Sequence, residues 1–299
     1  MSVRVERAQP AAGRAEGLAL LLFTVVGWGL NWPALKLVLE HLPPFSMRTV
    51  TAAAGGTIVM AMAALRGERL APPSGQWRRL TLAAFLNYTS WLGFVSVSLV
   101  WLPASTAVII TYTMPVWAMC LAWPVLGERP RASHLMGLAL GIGGVAAVLD
   151  GGRAAIPPGG LPGVACALAA SVLFALGSVI TKRAPLSMPP FAAVGWQILI
   201  GVVPIAVLAL LLERPDFGAL ALHDWLALAY TAFVGLVLSY LCWFRALKLL
   251  PASVATAGTL LVPLVGVFGS GLVLGEPIGP AQLLALALTI SGVALVARS

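Results

Sequence analysis

Residues 17–36, GLALLLFTVVGWGLNWPALK, return in weakened form at residues 163–182, GVACALAASVLFALGSVITK, 146 positions later. Each begins with glycine, ends in lysine and carries no other charge. As a helix, each is long enough to cross roughly 30 Å of hydrocarbon. The same offset lays Pro43-Pro44-Phe45 on Pro189-Pro190-Phe191. Further along the offset becomes 148: Leu102-Pro103-Ala104-Ser105 matches Leu250-Pro251-Ala252-Ser253, and Pro115 matches Pro263. Leu126-Gly127-Glu128 then matches Leu274-Gly275-Glu276, and Gly144-Val145 matches Gly292-Val293. Leu, Ala and Gly are common in such a chain, so each match alone is weak. Motifs recurring in order at nearly one offset establish an internal repeat.

The whole 299-residue chain has the same character, 60% hydrophobic and only 9% charged. A soluble domain is about 25% charged, so a globule of this composition would expose large apolar patches. Apolar runs occur at 17–39, 44–65, 77–99, 103–125, 133–149, 161–183, 190–212, 224–247, 251–273 and 279–297. None alternates in the manner of a barrel strand. The expected fold is an all-α integral membrane bundle of ten transmembrane helices in two five-helix repeats. Five is odd, so the second repeat must insert upside down. The expected units are a disordered cytoplasmic arm (1–16), a first repeat (17–149), an external linker (150–162) and a second repeat (163–297). The arm lacks the pattern of a cleaved signal peptide. Cys120, Cys166 and Cys242 lie in apolar runs with no C-x-x-C pair and read as packing residues.

Charge fixes the expected orientation. With the amino terminus inside, the inner segments hold Arg4, Arg7, Arg14, Arg66, Arg69, Arg78, Arg79, Arg129, Arg131, Lys182, Arg183, Arg245, Lys248 and Arg298. The outer side holds only Lys36, Arg48, Arg153 and Arg214. This positive-inside bias puts both termini in the cytoplasm, and it accounts for the net charge of +8 without nucleic acid. Inverted repeats of this kind are typical of secondary transporters, whose substrate site lies near the midplane between the halves.

Several residues are candidates for that site, and each also has a plainer role. Pro115 and Pro263 stand near the centres of the fourth and ninth spans and free the carbonyls of Thr111 and Thr259. They are either repaired kinks or hinges beside a carbonyl-lined site. Asn87, Tyr88 and Trp91 share a helical face, and Ser239, Tyr240 and Trp243 repeat the spacing at an offset of 152. Trp243 then falls near the cytoplasmic interface and reads as belt. Asn87 must find a partner, in another helix or in a ligand. Trp28 and Asn31 can line one wall, while Trp32 is expected to face lipid or the interface. Tyr112 and Ser178 complete the candidate substrate-binding set. Lys36 is expected to snorkel or to pair with Glu40 rather than touch substrate, and Arg48 is treated alike.

The absences are informative too. His41, His134 and His223 fall at separate span ends, no span carries a carboxylate pair, and there is no H-E-x-x-H or P-loop. No metal site, cofactor or catalytic residue is expected, and ATP-driven pumping is not expected of this chain alone. The expected partners are a small-molecule substrate and the lipid bilayer, with a monomer as the working unit.

Ten spans in two five-helix repeats, each with Pro-x(11)-Gly-Glu at Pro115–Glu128 and Pro263–Glu276, resemble the drug/metabolite transporter superfamily of the EamA type. The resemblance covers about 17–297. Arg48, just inside the second span, fits that family's pattern, and Val194 stands where its counterpart would fall. Within the family, the tryptophan-rich first half is similar to the YddG-type exporters of aromatic amino acids and methyl viologen. The resemblance implies export of small organic metabolites by alternating access, with aromatic or apolar amino acids as the first expectation and planar cations as an addition. The rival readings are an integral-membrane enzyme acting on a lipid or isoprenoid, which would need an interfacial acid or histidine cluster, and a non-catalytic scaffold.

Overall fold

The computed structural model describes residues 11–128, 132–150 and 156–297. Arg4, Glu6, Arg7, Arg129, Arg131, Arg153 and Arg298 lie outside those residues, as do the first ten positions of the expected arm. In chain order the helices are α1 (Ala11–Val38), α2 (Pro44–Leu65), α3 (Trp77–Ala84), α4 (Ser90–Trp101), α5 (Ala104–Thr111), α6 (Met114–Leu126) and α7 (Ala132–Asp150). The second half repeats the order as α8 (Leu161–Arg183), α9 (Pro190–Leu212), α10 (Leu222–Ala229), α11 (Ser239–Leu249), α12 (Ala252–Thr259), α13 (Leu261–Leu274) and α14 (Pro280–Ala297). A π-helical turn, Phe85–Thr89, joins α3 to α4, and a longer one, Tyr230–Leu238, joins α10 to α11. There is no strand among the described residues. Seven helical stretches are long and apolar enough to cross a membrane, while Leu135–Leu149, Leu261–Leu274 and Pro280–Leu295 are apolar but shorter.

The local causes are legible. Helices α2 and α9 each open on the second proline of a Pro-Pro pair, whose fixed φ suits the first helical position. Their bare N–H groups are then capped from the other half. Glu213 accepts from Phe45 N at 2.9 Å and Ser46 N at 2.6 Å, and Glu68 accepts from Ala192 N at 2.9 Å. Helix α5 stops at Thr111 and α6 restarts at Met114, where Pro115 cannot supply the N–H that would continue the ladder. Leu260 marks the matching break ahead of Pro263.

One expectation about the arm is corrected. Residues 11–16 are the first turns of α1 and not part of a disordered segment. Ala, Arg and Glu favour helix, and Glu16 is held by Arg245 through an Nε to Oε1 bond of 2.7 Å.

Packing crosses between the halves. Helix α2 lies on α9 and α7 lies on α14, while α1 packs on α11 and α13, and α8 packs on α4 and α6. Exchanging the halves leaves this pattern unchanged. The first helix of each half is therefore seated in the other half, giving one lobe of α1 with α10–α13 and a second of α8 with α3–α6.

Candidate functional site

A cavity of about 130 Å³ is lined by both lobes and by the start of α2. Helix α1 contributes Trp28, Asn31, Trp32 and Leu35, and α2 contributes Arg48. The first π turn and α4 supply Asn87, Tyr88, Trp91, Leu92 and Val95, and the break in the fourth stretch supplies Tyr112 and Met114. Phe174 comes from α8, Gly235 and Leu236 from the second π turn, and Tyr240 from α11. π-Helical turns are rare and concentrate at functional sites, and here both present side chains to one cavity.

The lining repeats about the pseudo-two-fold relation. Trp28 meets Tyr240 edge-on at 5.5 Å between ring centroids, and Phe174, which occupies Trp28's place in the second repeat, meets Trp91 at 4.9 Å. Asn31 sits against Gly235, where a Cβ would come within 2.8 Å of Asn31 Oδ1. Asn87 sits against Gly177, which likewise has no room for a Cβ. At the two repeat offsets Gly177 is the counterpart of Asn31, and Gly235 that of Asn87. Each lobe thus has one asparagine on one glycine, with the partners exchanged. Asn87 Nδ2 donates to Gln197 Oε1 at 3.2 Å, so its helix-to-helix bond is made. The Oδ1 atoms of Asn31 and Asn87 are nevertheless buried and accept no hydrogen bond. Tyr88 Oη donates to Tyr240 Oη at 3.3 Å across the two lobes.

Arg48 breaks the symmetry. It is 3% exposed, its Nε donates to Ser96 Oγ at 2.5 Å, and no carboxylate among the described residues pairs with it. A buried guanidinium without a counter-anion is costly and offers several donors to an incoming anion. Its place in the wall corrects the view of Arg48 as a snorkelling residue. Trp32 is also displaced from its expected lipid or interfacial setting. It is 4% exposed, lines the cavity and meets Tyr112 at 6.4 Å, because α1 is enclosed by its own lobe and touches α4 and α5 as well. Lys36 turns to the backbone rather than to Glu40: its Nζ donates to the carbonyls of Leu99 and Leu102 at 2.5 and 3.1 Å. Trp243 packs on Trp28 at 5.8 Å between ring centroids and is not among the lining residues.

Of the candidate set, Trp28, Asn31, Asn87, Tyr88, Trp91, Tyr112 and Tyr240 come together in this cavity. Thr111 does not, because its hydroxyl turns back to Ala107 O at 2.6 Å inside α5. Ser239 is buried between α11 and α1, where its carbonyl accepts from Thr24, and Thr259 ends α12 away from the wall. Ser178 is exposed and lines a separate crevice of about 330 Å³ with Pro115, Glu128 and Lys182. Arg48 was weighed in the sequence and set aside, although it is a cation inside a span with no acid three or four positions away. Met114 and the aliphatic lining residues escaped the sequence reading, as did Phe174, whose signal was its place at Trp28's counterpart 146 positions on.

The two ends of the bundle are tied differently. At one end Glu276, following α13, accepts from Ala104 N, Ser105 N and Ser105 Oγ at 2.7, 2.9 and 2.6 Å. Glu276 and Lys36 belong to one lobe and their partners to the other, so this end is bonded across the lobes. At the opposite end their repeat counterparts, Glu128 and Lys182, bond each other at 2.7 Å within a single lobe. Arg183 joins them by donating to Val125 O at 2.9 Å.

Comparison with known proteins agrees with this architecture. A solved crystal structure superposes with a TM-score of 0.64 at 22% identity, covering 96% of both chains, which speaks for the fold alone. An uncharacterized transporter, YvbV, of Bacillus subtilis (strain 168) is 30% identical over 285 residues, 93% of this chain and 90% of its own. A probable amino-acid metabolite efflux pump of Salmonella typhimurium is 28% identical over 300 residues, 93% of each chain. The profile of the EamA-like transporter family matches twice, over residues 15–149 and 161–298, almost the full length. With its paired repeats and multi-pass helices, the chain belongs to the EamA-like transporter family.

Proposed function

We propose that this transporter exports small amino acids with apolar or aromatic side chains across the bacterial plasma membrane by alternating access. The observation that carries the reading is the unpaired Arg48 in the same wall as the amides of Asn31 and Asn87. A guanidinium binds a carboxylate in a charge-assisted fork, and the Asn31 and Asn87 amides can accept from an ammonium once movement of the lobes loosens their packing on Gly235 and Gly177. The Trp28–Tyr240 and Trp91–Phe174 pairs supply an apolar, aromatic bed for the side chain. The Salmonella relative, a probable amino-acid metabolite efflux pump, supports amino acids or their metabolites as cargo. A planar dication is disfavoured by the Arg48 charge, and a sugar phosphate would need more cations than the wall holds.

In this reading the shorter apolar stretches also span, giving ten helices with both termini inside and the second half inverted. The end bonded through Glu276 and Lys36 is then the outer one, and the molecule is in an inward-facing state. The experiment is counterflow in vesicles holding the purified protein, with labelled leucine or phenylalanine challenged by unlabelled compounds. Amino acids should exchange and be recovered unaltered, whereas their amides, hexose phosphates and methyl viologen should compete poorly. Preferred exchange of a phosphorylated sugar or of the dication would overturn the reading, and a chemically altered product would favour an enzyme.

A further inference from the structure

Two of the three histidines, expected at separate span ends, meet at one end of the bundle. His41 lies in the connection between α1 and α2, and His223 and Asp224 lie in the first turn of α10. His41 Nδ1 is 3.2 Å from Asp224 Oδ1, and His223 Nε2 is 3.4 Å from the same oxygen. The two imidazoles stand edge to face with centroids 6.0 Å apart, and the three candidate ligand atoms all lie within 4.8 Å of one another. The Asp224 side chain is fully buried, and its Oδ2 accepts from Ala221 N at 2.9 Å. That bond fixes the carboxylate and turns Oδ1 alone toward the histidines. Both rings are substantially exposed, so they can swing without disturbing the core.

We propose that His41, His223 and Asp224 form a binding site for a divalent transition metal of the zinc class. The spacing carries the argument. His41 Nδ1 and Asp224 Oδ1 stand at the long end of an N–H···O hydrogen bond, and His223 Nε2, at 3.4 Å, lies beyond it. Ligands about 2.0–2.1 Å from a tetrahedral ion stand about 3.3–3.4 Å from each other, and the separations on the two sides of Asp224 Oδ1, 3.2 and 3.4 Å, lie close to that. Only the distance between the two ring nitrogens has to close, and rotation of the exposed rings achieves that. Two imidazoles and one monodentate carboxylate suit zinc, copper or nickel, and not calcium or magnesium, which take oxygen ligands. Water fills the fourth position. All three ligands lie at the end bonded through Glu276, the external end in the proposed orientation, so an extracellular metal can reach them. They tie the end of α1 to the start of α10, two helices of one lobe, so the metal fastens that lobe without bridging to the other.

The test needs no transport assay and so stands apart from the substrate reading. Full-length protein in detergent, stripped with a chelator, is titrated with zinc in a calorimeter and melted with and without it. The expected result is one zinc per chain, a raised Tm with zinc, and no rise with magnesium. His41→Gln, His223→Gln and Asp224→Asn should each weaken binding by about tenfold or more and abolish the zinc-induced rise. Asp224→Asn keeps an oxygen for the Ala221 N–H, and the histidine substitutions alter exposed rings, so melting in chelator should stay at the parental value. Absence of saturable zinc binding by the parental protein, or undiminished binding by the His41→Gln/His223→Gln pair, overturns the site.

Discussion

Arg48 concentrates the chemistry of the cavity in one side chain. Its guanidinium is buried beside Ser96 and faces aromatic rings and amides, so a carboxylate entering the cavity supplies the missing charge. Hydrogen bonds to charged groups contribute about 1.5–3 kcal/mol each. Arg48→Gln should therefore raise the half-saturating concentration of an amino acid by roughly 10- to 100-fold and erase the preference over its amide. Competition counterflow measures both, and an unchanged acid-to-amide ratio would return Arg48 to a packing role. The face of Asn87, Tyr88 and Trp91 was legible in sequence, because such spacing converges in any helical geometry and a buried amide needs a partner. Arg48 was not, because a cation one or two turns inside a span end can bend outward to the interface or inward with equal ease. Which way it turns depends on helices brought up from elsewhere in the chain, here the Ser96 hydroxyl of α4.

At the scale of elements, the breaks at Thr111–Met114 and Thr259–Leu261 follow from Pro115 and Pro263 and could be read directly. The π turns could not. No residue type marks them, yet Tyr88 of the first meets Tyr240, just beyond the second, at the lobe boundary. The reading of Glu276 as a clamp on the first turn of α5 leads to a prediction. Glu276→Gln replaces charge-assisted bonds to Ala104 and Ser105 by weaker neutral ones, a loss of about 1–3 kcal/mol in closure of that end. A cysteine placed at Val95 should then react several-fold faster with a membrane-impermeant reagent applied outside cells. Glu128→Gln should not speed that reaction, because Glu128 bonds at the other end. Equal acceleration by both substitutions would show that neither end acts as a gate.

For the whole molecule, the fold was readable because composition, apolar period and repeat all pointed one way. The crossing of the lobes was hidden, since a repeat reveals equivalence and not which copy packs on which. The charge census also acts at this scale. Every acid of the chain falls in a terminus, a connection or an end turn, and Glu16, Glu68, Glu128, Glu213, Asp216, Asp224 and Glu276 are occupied in capping and pairing. Asp224 is buried, but it lies at the end of the bundle beside His41 and His223. A proton-coupled carrier needs a carboxylate deep in the membrane, where burial brings its pKa into a useful range. Transport is therefore expected to run down the substrate gradient. Sealed vesicles should equilibrate substrate without a pH gradient or membrane potential, and accumulation abolished by a protonophore would contradict this.

The exchange of first helices between the halves also dictates the order of assembly during synthesis. When α1 enters the bilayer, its partner α11 lies roughly 200 residues further along, a wait of about 10–40 s at ordinary elongation rates. Helix α2 waits for α9 and α7 waits for α14. Helix α8 is different, because α4 and α6 already exist when it emerges. The lobe built on α8 can close while the ribosome is still at work. The lobe built on α1 is completed last, so Trp28 and Asn31 spend that interval facing lipid or the insertion machinery before Tyr240 and Gly235 arrive to cover them.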